Sequence, residues 1–593
     1  MPIPKSALDR RNFLAVTTRM GLATTLLPGV LWAMAEEHKK ITKEMIGQAA
    51  EIADVDIPDA DKDMMLEALN GAVKDYDAVH ALHLANGVEP AILFNPVLPG
   101  MKIDFPRRPP RLSRVAVPAT PKNIEDVAFY NVRQLGELVR AKKVSSVALT
   151  EMYLRRLKRY DPILKFVITL TEDRAMAQAK EADRDIAAGK YRGALHGLPW
   201  GAKDLLAVKG YPTTWGAGGF EHQMIDEDAT VVQRLDRAGA VLIAKLTMGA
   251  LAMGDVWFGG TTKNPWKTDQ GSSGSSAGPA SATAAGCVAF SVGTETLGSI
   301  SSPSTRCGDT GLRPTFGRVP RTGAMALSWS MDKIGPICRA VEDCAVVLQV
   351  IHGPDGHDGT VHDIPFTWDA GLDIHSLRVG YLKDAFEEMP KAPPVAEDTP
   401  QRKQFREMRV EQMKYDNAAL DVLRNKLGLK LIEVKLPEFP YQNLLPILSA
   451  EAAAAFDELT RSGRDKLLTA QGKNDWPNTF RAARFIPAVE YINANRARTL
   501  GMEKMAEIFK DVDVIVAPTN GNPQLIITNL TGHPAVILPD AFRPDGTPTS
   551  LTFLGNLFRE DQVAAVAKAY QDATDWNLRH PEKIEAPPKE EKK

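Results

Sequence analysis

Between Thr268 and Gly323 the chain reads TDQGSSGSSAGPASATAAGCVAFSVGTETLGSISSPSTRCGDTGLRPTFGRVPRTG, a density of Gly, Ser and Ala unlike the rest of its length. Gly271 to Ser276, GSSGSS, cannot be an efficient helix or strand interior. Such a run is either a flexible linker or a loop whose hydroxyls and backbone N–H groups are put to use. Context excludes the linker, because an Ala-rich helix (Ala277–Ala285, closed by Gly286) and an apolar strand (Val288–Val292) follow at once. A phosphate cradle is excluded by the missing Gly-x4-Gly-Lys-Ser/Thr spacing. A serine nucleophile remains, but no Gly-x-Ser-x-Gly elbow with matching His and Asp accompanies it. The histidines of HGPDGHDGTVH (His352, His357, His362) raise a metal site, yet two steps of five residues fit no helical ligand pair. No metal and no cofactor are expected.

The order of small motifs is more specific than any one of them. Gly293-Thr294-Glu295-Thr296-Leu297-Gly298-Ser299-Ile300 is followed by Pro303, Cys307-Gly308 and Gly311-Leu312-Arg313-Pro314-Thr315. Upstream stands Gly197-Leu198-Pro199-Trp200-Gly201-Ala202-Lys203-Asp204; downstream stand DVIVAP (Asp513–Pro518) and Asn529-Leu530-Thr531-Gly532-His533-Pro534-Ala535. Together these resemble the amidase signature family from about residue 128 to 575, some three quarters of the chain.

That resemblance implies a Ser-Ser-Lys triad. A serine hydroxyl is a poor nucleophile at neutral pH without an adjacent base, and a lysine can be that base where desolvation lowers its pKa. By position Ser299 becomes the acyl-forming nucleophile and Lys203 the terminal base. The relay serine, held in the family by a cis peptide bond, falls on Ser275, which lies 24 residues before Ser299; Ser272 would need a three-residue insertion in the Ala-rich helix. Backbone N–H groups of Thr296, Leu297 and Gly298, with Ser299, are the expected oxyanion hole. Three positions depart from the family: Ser301 where an arginine is frequent, Arg306 where an aromatic residue is frequent, and Leu297-Gly298-Ser299 in place of Gly-Gly-Ser. His533 reads as a packing or pocket-wall residue.

Positioning these groups requires strands and helices in alternation. Thr150–Tyr160, Glu172–Ala188, Arg402–Leu427 and Leu448–Arg461 read as helices, and Ala240–Ala244 and Val512–Ala517 as buried strands. Continuous apolar strands alternating with helices predict an α/β fold, a central mixed twisted sheet covered by helices on both faces. Ahead of it, Ile41–Ile52 and Asp59–Leu84 have helical periodicity, and Phe105–Pro121 is too rich in proline for helix or central strand. Residues 1–35 carry Arg10-Arg11, a moderately apolar stretch and Ala33-Met34-Ala35, the pattern of a twin-arginine export signal.

The expected organisation is therefore signal 1–35, helical extension and linker 36–125, catalytic domain 126–578 and a disordered charged tail 579–593. The 593 residues carry 72 basic and 74 acidic side chains, a balance that calls for neither nucleic acid nor an anionic membrane surface. Four cysteines exclude a disulfide scaffold and are expected as buried free thiols. No further membrane span is expected in the mature chain, and a homodimer is left open. The reading is a periplasmic or secreted hydrolase that cleaves a carboxamide C–N bond of a small molecule. One alternative is an amidotransferase A-like subunit; the export signal and the three departures speak against it. The other is a non-catalytic binding protein on the same scaffold. The class of amide is left open between aliphatic, aryl and peptidic amides and carbamates.

Overall fold

The computed structural model describes residues 41–52, 55–103, 105–387 and 400–585; the expected export signal and the last residues of the tail lie outside them. Two compact units are present, one made of residues up to Ala85 with Phe485–Pro487, the other of Asn86–Arg484 and Ala488 onward. In the first, helices Lys43–Ile52 and Asp59–His80 are tied by Asn70, whose Oδ1 accepts from Ile41 N at 2.8 Å and whose Nδ2 donates to Ile41 O at 3.2 Å. Residues 86–125, read from sequence as extension and linker, belong to the second unit.

The second unit is built on an eleven-stranded mixed sheet flanked by helices, an α/β fold. Its strands are β1 (Val167–Leu170), β2 (Pro199–Lys203), β3 (Val241–Leu246), β4 (Phe290–Glu295), β5 (Thr310–Arg313), β6 (Lys333–Cys338), β7 (Val379–Leu382), β8 (Ile432–Val434), β9 (Val514–Pro518), β10 (Ala535–Phe542) and β11 (Pro548–Gly555). They run in the order β1-β3-β2-β4-β6-β5-β10-β11-β9-β7-β8. β2 is parallel to both β3 and β4, so three chain segments leave the sheet at the same edge. β4 and β6 pair antiparallel, with Glu295 opposite Lys333. Every residue of β2, β3, β4 and β6 is buried, as a sheet covered on both faces demands. Among the described residues no helix is long and apolar enough to cross a membrane.

Local competition moves some element boundaries. β4 starts at Phe290 rather than Val288, because the Val288 carbonyl is taken by the Arg339 guanidinium at 3.1 Å. The helix expected over Leu448–Arg461 is two, Pro446–Ala455 and Asp457–Arg461, broken where Phe456 leaves helical geometry at φ −120°. The helix expected over Arg402–Leu427 is Pro400–Asp421 followed by a π turn, Val422–Lys426. All four cysteines are buried free thiols; burial pushes the Cys287 thiol up to about 12, far from reactivity.

Candidate active site

The site collects at the carboxyl ends of β2 and β4, where parallel strands of an open sheet present their following loops. Lys203 is the last residue of β2, and Thr294 and Glu295 close β4. Gly201 is required in β2, since a Cβ there would stand 2.3 Å from Leu246 Cδ1. Gly293 is required in β4 for a reason closer to chemistry: its missing side chain leaves room for the Ser276 hydroxyl, 2.6 Å from where a Cβ would be.

Lys203 is fully buried and its Nζ lies 2.8 Å from Ser275 Oγ, 3.1 Å from Ser276 Oγ and 2.8 Å from Thr294 Oγ1. Among the described residues no carboxylate is hydrogen-bonded to it. Burial therefore dominates and pulls the ammonium down to about 7, against the weaker pull of Asp332 and Glu295. A neutral lysine has two N–H donors and one lone pair, and the neighbours fit that count. Ser276 Oγ accepts from Thr294 N and donates to Thr294 O, both at 3.1 Å, so toward the lysine it can only accept. With Thr294 Oγ1 accepting the second N–H, and the Thr294 carbonyl standing farther off at 3.4 Å, the lone pair is left for the Ser275 hydroxyl.

The loop carrying Ser275 is fixed from both sides. The Gly274–Ser275 peptide bond is cis, Ser273 N donates to Asp255 Oδ2 at 2.8 Å, and Ser276 N donates to Ser299 O at 3.1 Å. The last bond joins this loop directly to the turn of Ser299. Ser272, the other candidate relay, turns its Oγ onto Ser273 O at 2.9 Å and has no bond to the lysine.

Ser299 retains 8% exposure, and among the described residues its hydroxyl has no hydrogen-bond partner. The N–H groups of Thr296, Leu297, Gly298 and Ser299 likewise donate to no acceptor among the described residues, whereas Ile300 N and Ser301 N are both taken by Glu295 Oε2, at 2.9 and 2.8 Å. Gly298 adopts φ +95°, a conformation side chains resist. The turn thus offers free donors beside a free serine hydroxyl. Its shape is held by the Glu295 carboxylate, which also accepts from Ser301 Oγ at 2.8 Å, Asn529 Nδ2 at 2.9 Å and Arg313 Nη1 at 2.8 Å. Burial alone would raise this carboxyl, but Arg313 and the converging donors hold it at about 2. On the other side Thr296 Oγ1 donates to Asp332 Oδ1 at 2.6 Å, and Asp332 Oδ2 accepts from Leu327 N and Ser328 N.

Sequence reasoning places Lys203, Ser275, Ser299 and residues 296–298 in the site, and the fold brings all of them to one strand edge. It misses Ser276, Thr294 and Asp332. The Gly293–Thr294 pair was the available signal for the first two; Asp332 had none. The histidine cluster does not converge: His352 faces Leu348 O and Gln349 O, while His362 packs edge-on to Phe558. Among the described residues no group of three or more His, Cys, Asp or Glu could hold a metal ion. His533 is buried, stacked on Phe509 and bonded to Thr531, and burial takes it down to about 3.

Comparison with known proteins adds the family to this geometry. A sequence model described as Amidase matches residues 148–526. The A subunit of glutamyl-tRNA(Gln) amidotransferase from Methylococcus capsulatus is 34% identical over 486 residues, covering 74% of this chain and 96% of that protein. Its counterpart from Roseiflexus sp. is 34% identical over 485 residues, covering 74% and 95%. Among solved structures, the native peptide amidase of Stenotrophomonas maltophilia superposes with a TM-score of 0.63 at 27% identity, covering 77% of this chain and 99% of that one. A bacterial aryl acylamidase shares the fold, with a TM-score of 0.65 at 22% identity and coverage of 76% and 98%. The chain belongs to the amidase signature family.

Proposed function

We propose that this chain hydrolyses the C–N bond of a carboxamide through a seryl acyl-enzyme. The observation that carries the reading is Lys203 Nζ, buried without a bonded carboxylate, 2.8 Å from Ser275 Oγ. Ser299 Oγ attacks the carbonyl carbon, its proton passes to Ser275, and the Ser275 proton passes to Lys203. The carbonyl oxygen becomes an anion facing the N–H groups of residues 296–299; preorganised donors of this kind commonly contribute about 10²–10³ in rate. The C–N bond then breaks, the departing nitrogen takes the proton back along the same relay, and ammonia or an amine leaves. Water repeats the sequence on the acyl ester and releases a carboxylic acid. No cofactor takes part in these steps.

The test is labelling of the folded protein by an alkyl fluorophosphonate, with Ser299→Ala as control, followed by turnover of a panel of aliphatic, aryl and peptide amides and carbamates. Labelling that persists in Ser299→Ala, or its absence from the wild type, would remove the nucleophile.

A second reading is favoured by the sequence comparisons: the 34%-identical relatives belong to glutamyl-tRNA(Gln) amidotransferases. In that reading the same acyl-enzyme forms, but the released nitrogen passes to glutamyl-tRNA(Gln), with protein partners around the chain. The residues Arg10-Arg11 and Ala33-Met34-Ala35 support export instead, and an exported chain meets no charged tRNA. Hydrolysis of a simple amide by the isolated chain supports the first reading, and a strict need for a partner and tRNA supports the second. Fractionation of cells carrying the full chain, with and without Arg10→Lys and Arg11→Lys, tests the address.

A further inference from the structure

The segment 86–96 precedes the residues matched by the family model, yet its side chains converge on one element of the catalytic unit, the loop 326–332. Asn86 grips that loop with both ends of its carboxamide: Nδ2 donates to Ala326 O at 2.8 Å, and Oδ1 accepts from Ala326 N at 2.7 Å. Glu89 pairs with Arg321 at 2.8 Å, and Arg321 Nη1 donates to Trp329 O at 2.6 Å. Phe94 lies under the Arg498 guanidinium, 3.5 Å from ring centroid to Cζ, and Arg498 donates to both Ser330 O and Ser330 Oγ at 2.9 Å. Three side chains of the segment therefore reach three points of one short loop, directly or through one arginine each. Pro96, buried next to Gly532, anchors the far end.

What that loop does next is on the other face. It ends in Asp332, whose carboxylate takes the Thr296 hydroxyl on one oxygen and Leu327 N and Ser328 N on the other. Asp332 is thus the joint between loop 326–332 and the first residue of the turn whose N–H groups face the reacting carbonyl.

We propose that residues 86–96 form a strap that positions the oxyanion turn, with Asn86 a positioning residue acting through Ala326, Asp332 and Thr296. The inference rests on the proposed role of Ser299 and extends it to a part of the chain outside the family match. A strap of this kind acts chiefly on the aim of the turn, since Asp332 bears on Lys203 only as a weak pull against the dominant effect of burial. Its loss therefore lowers acylation by the same factor at every pH, and small displacements of reacting groups can cost this much without unfolding anything.

The experiment measures the second-order rate of labelling by an alkyl fluorophosphonate from pH 5.5 to 9 in the full chain, in Asn86→Ala and in Glu89→Gln, with thermal melts of each. Asn86→Ala is expected to lower the rate about tenfold at all pH values, leaving the midpoint of the pH limb in place, and Glu89→Gln about threefold. If folded Asn86→Ala and Glu89→Gln label within about twofold of wild type, the strap is structural only and the proposal is overturned. A loss of rate accounted for wholly by a displaced midpoint also overturns it, since the effect would then run through Lys203. The Glu89 pair is partly exposed, so Glu89→Gln still reads out the strap should Asn86→Ala fail to fold. An unlabelled wild type defeats the nucleophile assignment itself, which is distinct from a wild type that labels at Ser299 and a strap variant that labels equally well.

Discussion

Lys203 and Glu295 end neighbouring parallel-paired strands, are both completely buried, and respond to burial in opposite ways. Around Lys203 the fold places only hydroxyls and a carbonyl, so desolvation wins and the amine is neutral from about pH 7 upward. Around Glu295 it places Arg313 and four further donors, so the carboxylate stays charged down to about pH 2. Burial alone decides nothing; the partners do. One group is kept ready to change its protonation state, and the other is kept from ever doing so. The first suits a base in turnover, and the second suits a clamp that holds the nucleophile's turn.

The largest test of this contrast is loss of the groups themselves. Ser299→Ala should remove labelling and hydrolysis by a factor on the order of 10⁶, and Lys203→Ala by about 10⁴. Lys203→Arg breaks the comparison more sharply, because arginine stays charged at any working pH. It should be as inactive as the alanine variant while remaining folded, measured by hydrolysis rate beside circular dichroism. A Lys203→Arg variant near wild-type rate would show that a neutral base is not needed.

Glu295→Gln keeps the shape of the clamp and removes its charge, leaving Arg313 buried and unpaired. We expect about 3–5 kcal/mol lower stability by urea unfolding and about 10²-fold lower kcat/KM. The pH sense follows from the pKa direction. Glu295 is depressed in the folded state, so its contribution is fully present above the ordinary carboxyl range and disappears as pH falls through about 2. Wild type should therefore lose more stability on acidification than Glu295→Gln, which keeps only the contributions of other depressed carboxylates such as Glu560 and Asp358. Gly293→Ala pushes a Cβ against Ser276, which steadies the lysine. A cost of about 1–3 kcal/mol and about tenfold in rate is expected, with KM unchanged. The smallest effect couples the two regions. Glu295 raises the Lys203 pKa, so the activity limb of Glu295→Gln should move to lower pH.

The two regions were also unequally legible in the sequence. Ser275 and Ser299 stood out because they lie in an unusual composition, a cluster of hydroxyls and glycines where a core should be aliphatic, whereas Lys203 and the three roles came from the family resemblance of the motifs. Gap-free spacing from Gly293 selected Ser275 over Ser272, and the bond from Lys203 to Ser275 rather than Ser272 shows where each falls. Glu295 was visible only as a motif letter, since its partners Arg313 and Asn529 come from β5 and from a helix more than two hundred residues away. Asp332 and Asn86 left no local trace at all, because what they do depends on which loop packs beside which. Elements followed the same rule. The apolar run Ala240–Ala244 marks most of β3, which continues through Lys245 to Leu246, whereas the helix over Leu448–Arg461 is interrupted at Phe456, a break that propensity alone does not mark. The eleven-strand order mixes near and distant pairings, and no period in the sequence encodes it.

The most direct test of the central claim is the pH dependence of Ser299 acylation. The labelling rate of wild type by an alkyl fluorophosphonate should rise along a single limb with its midpoint near the Lys203 value of about 7, and that limb should vanish in Lys203→Ala. A rate that does not depend on pH between about 5.5 and 9, or a limb that survives in Lys203→Ala, would contradict the account.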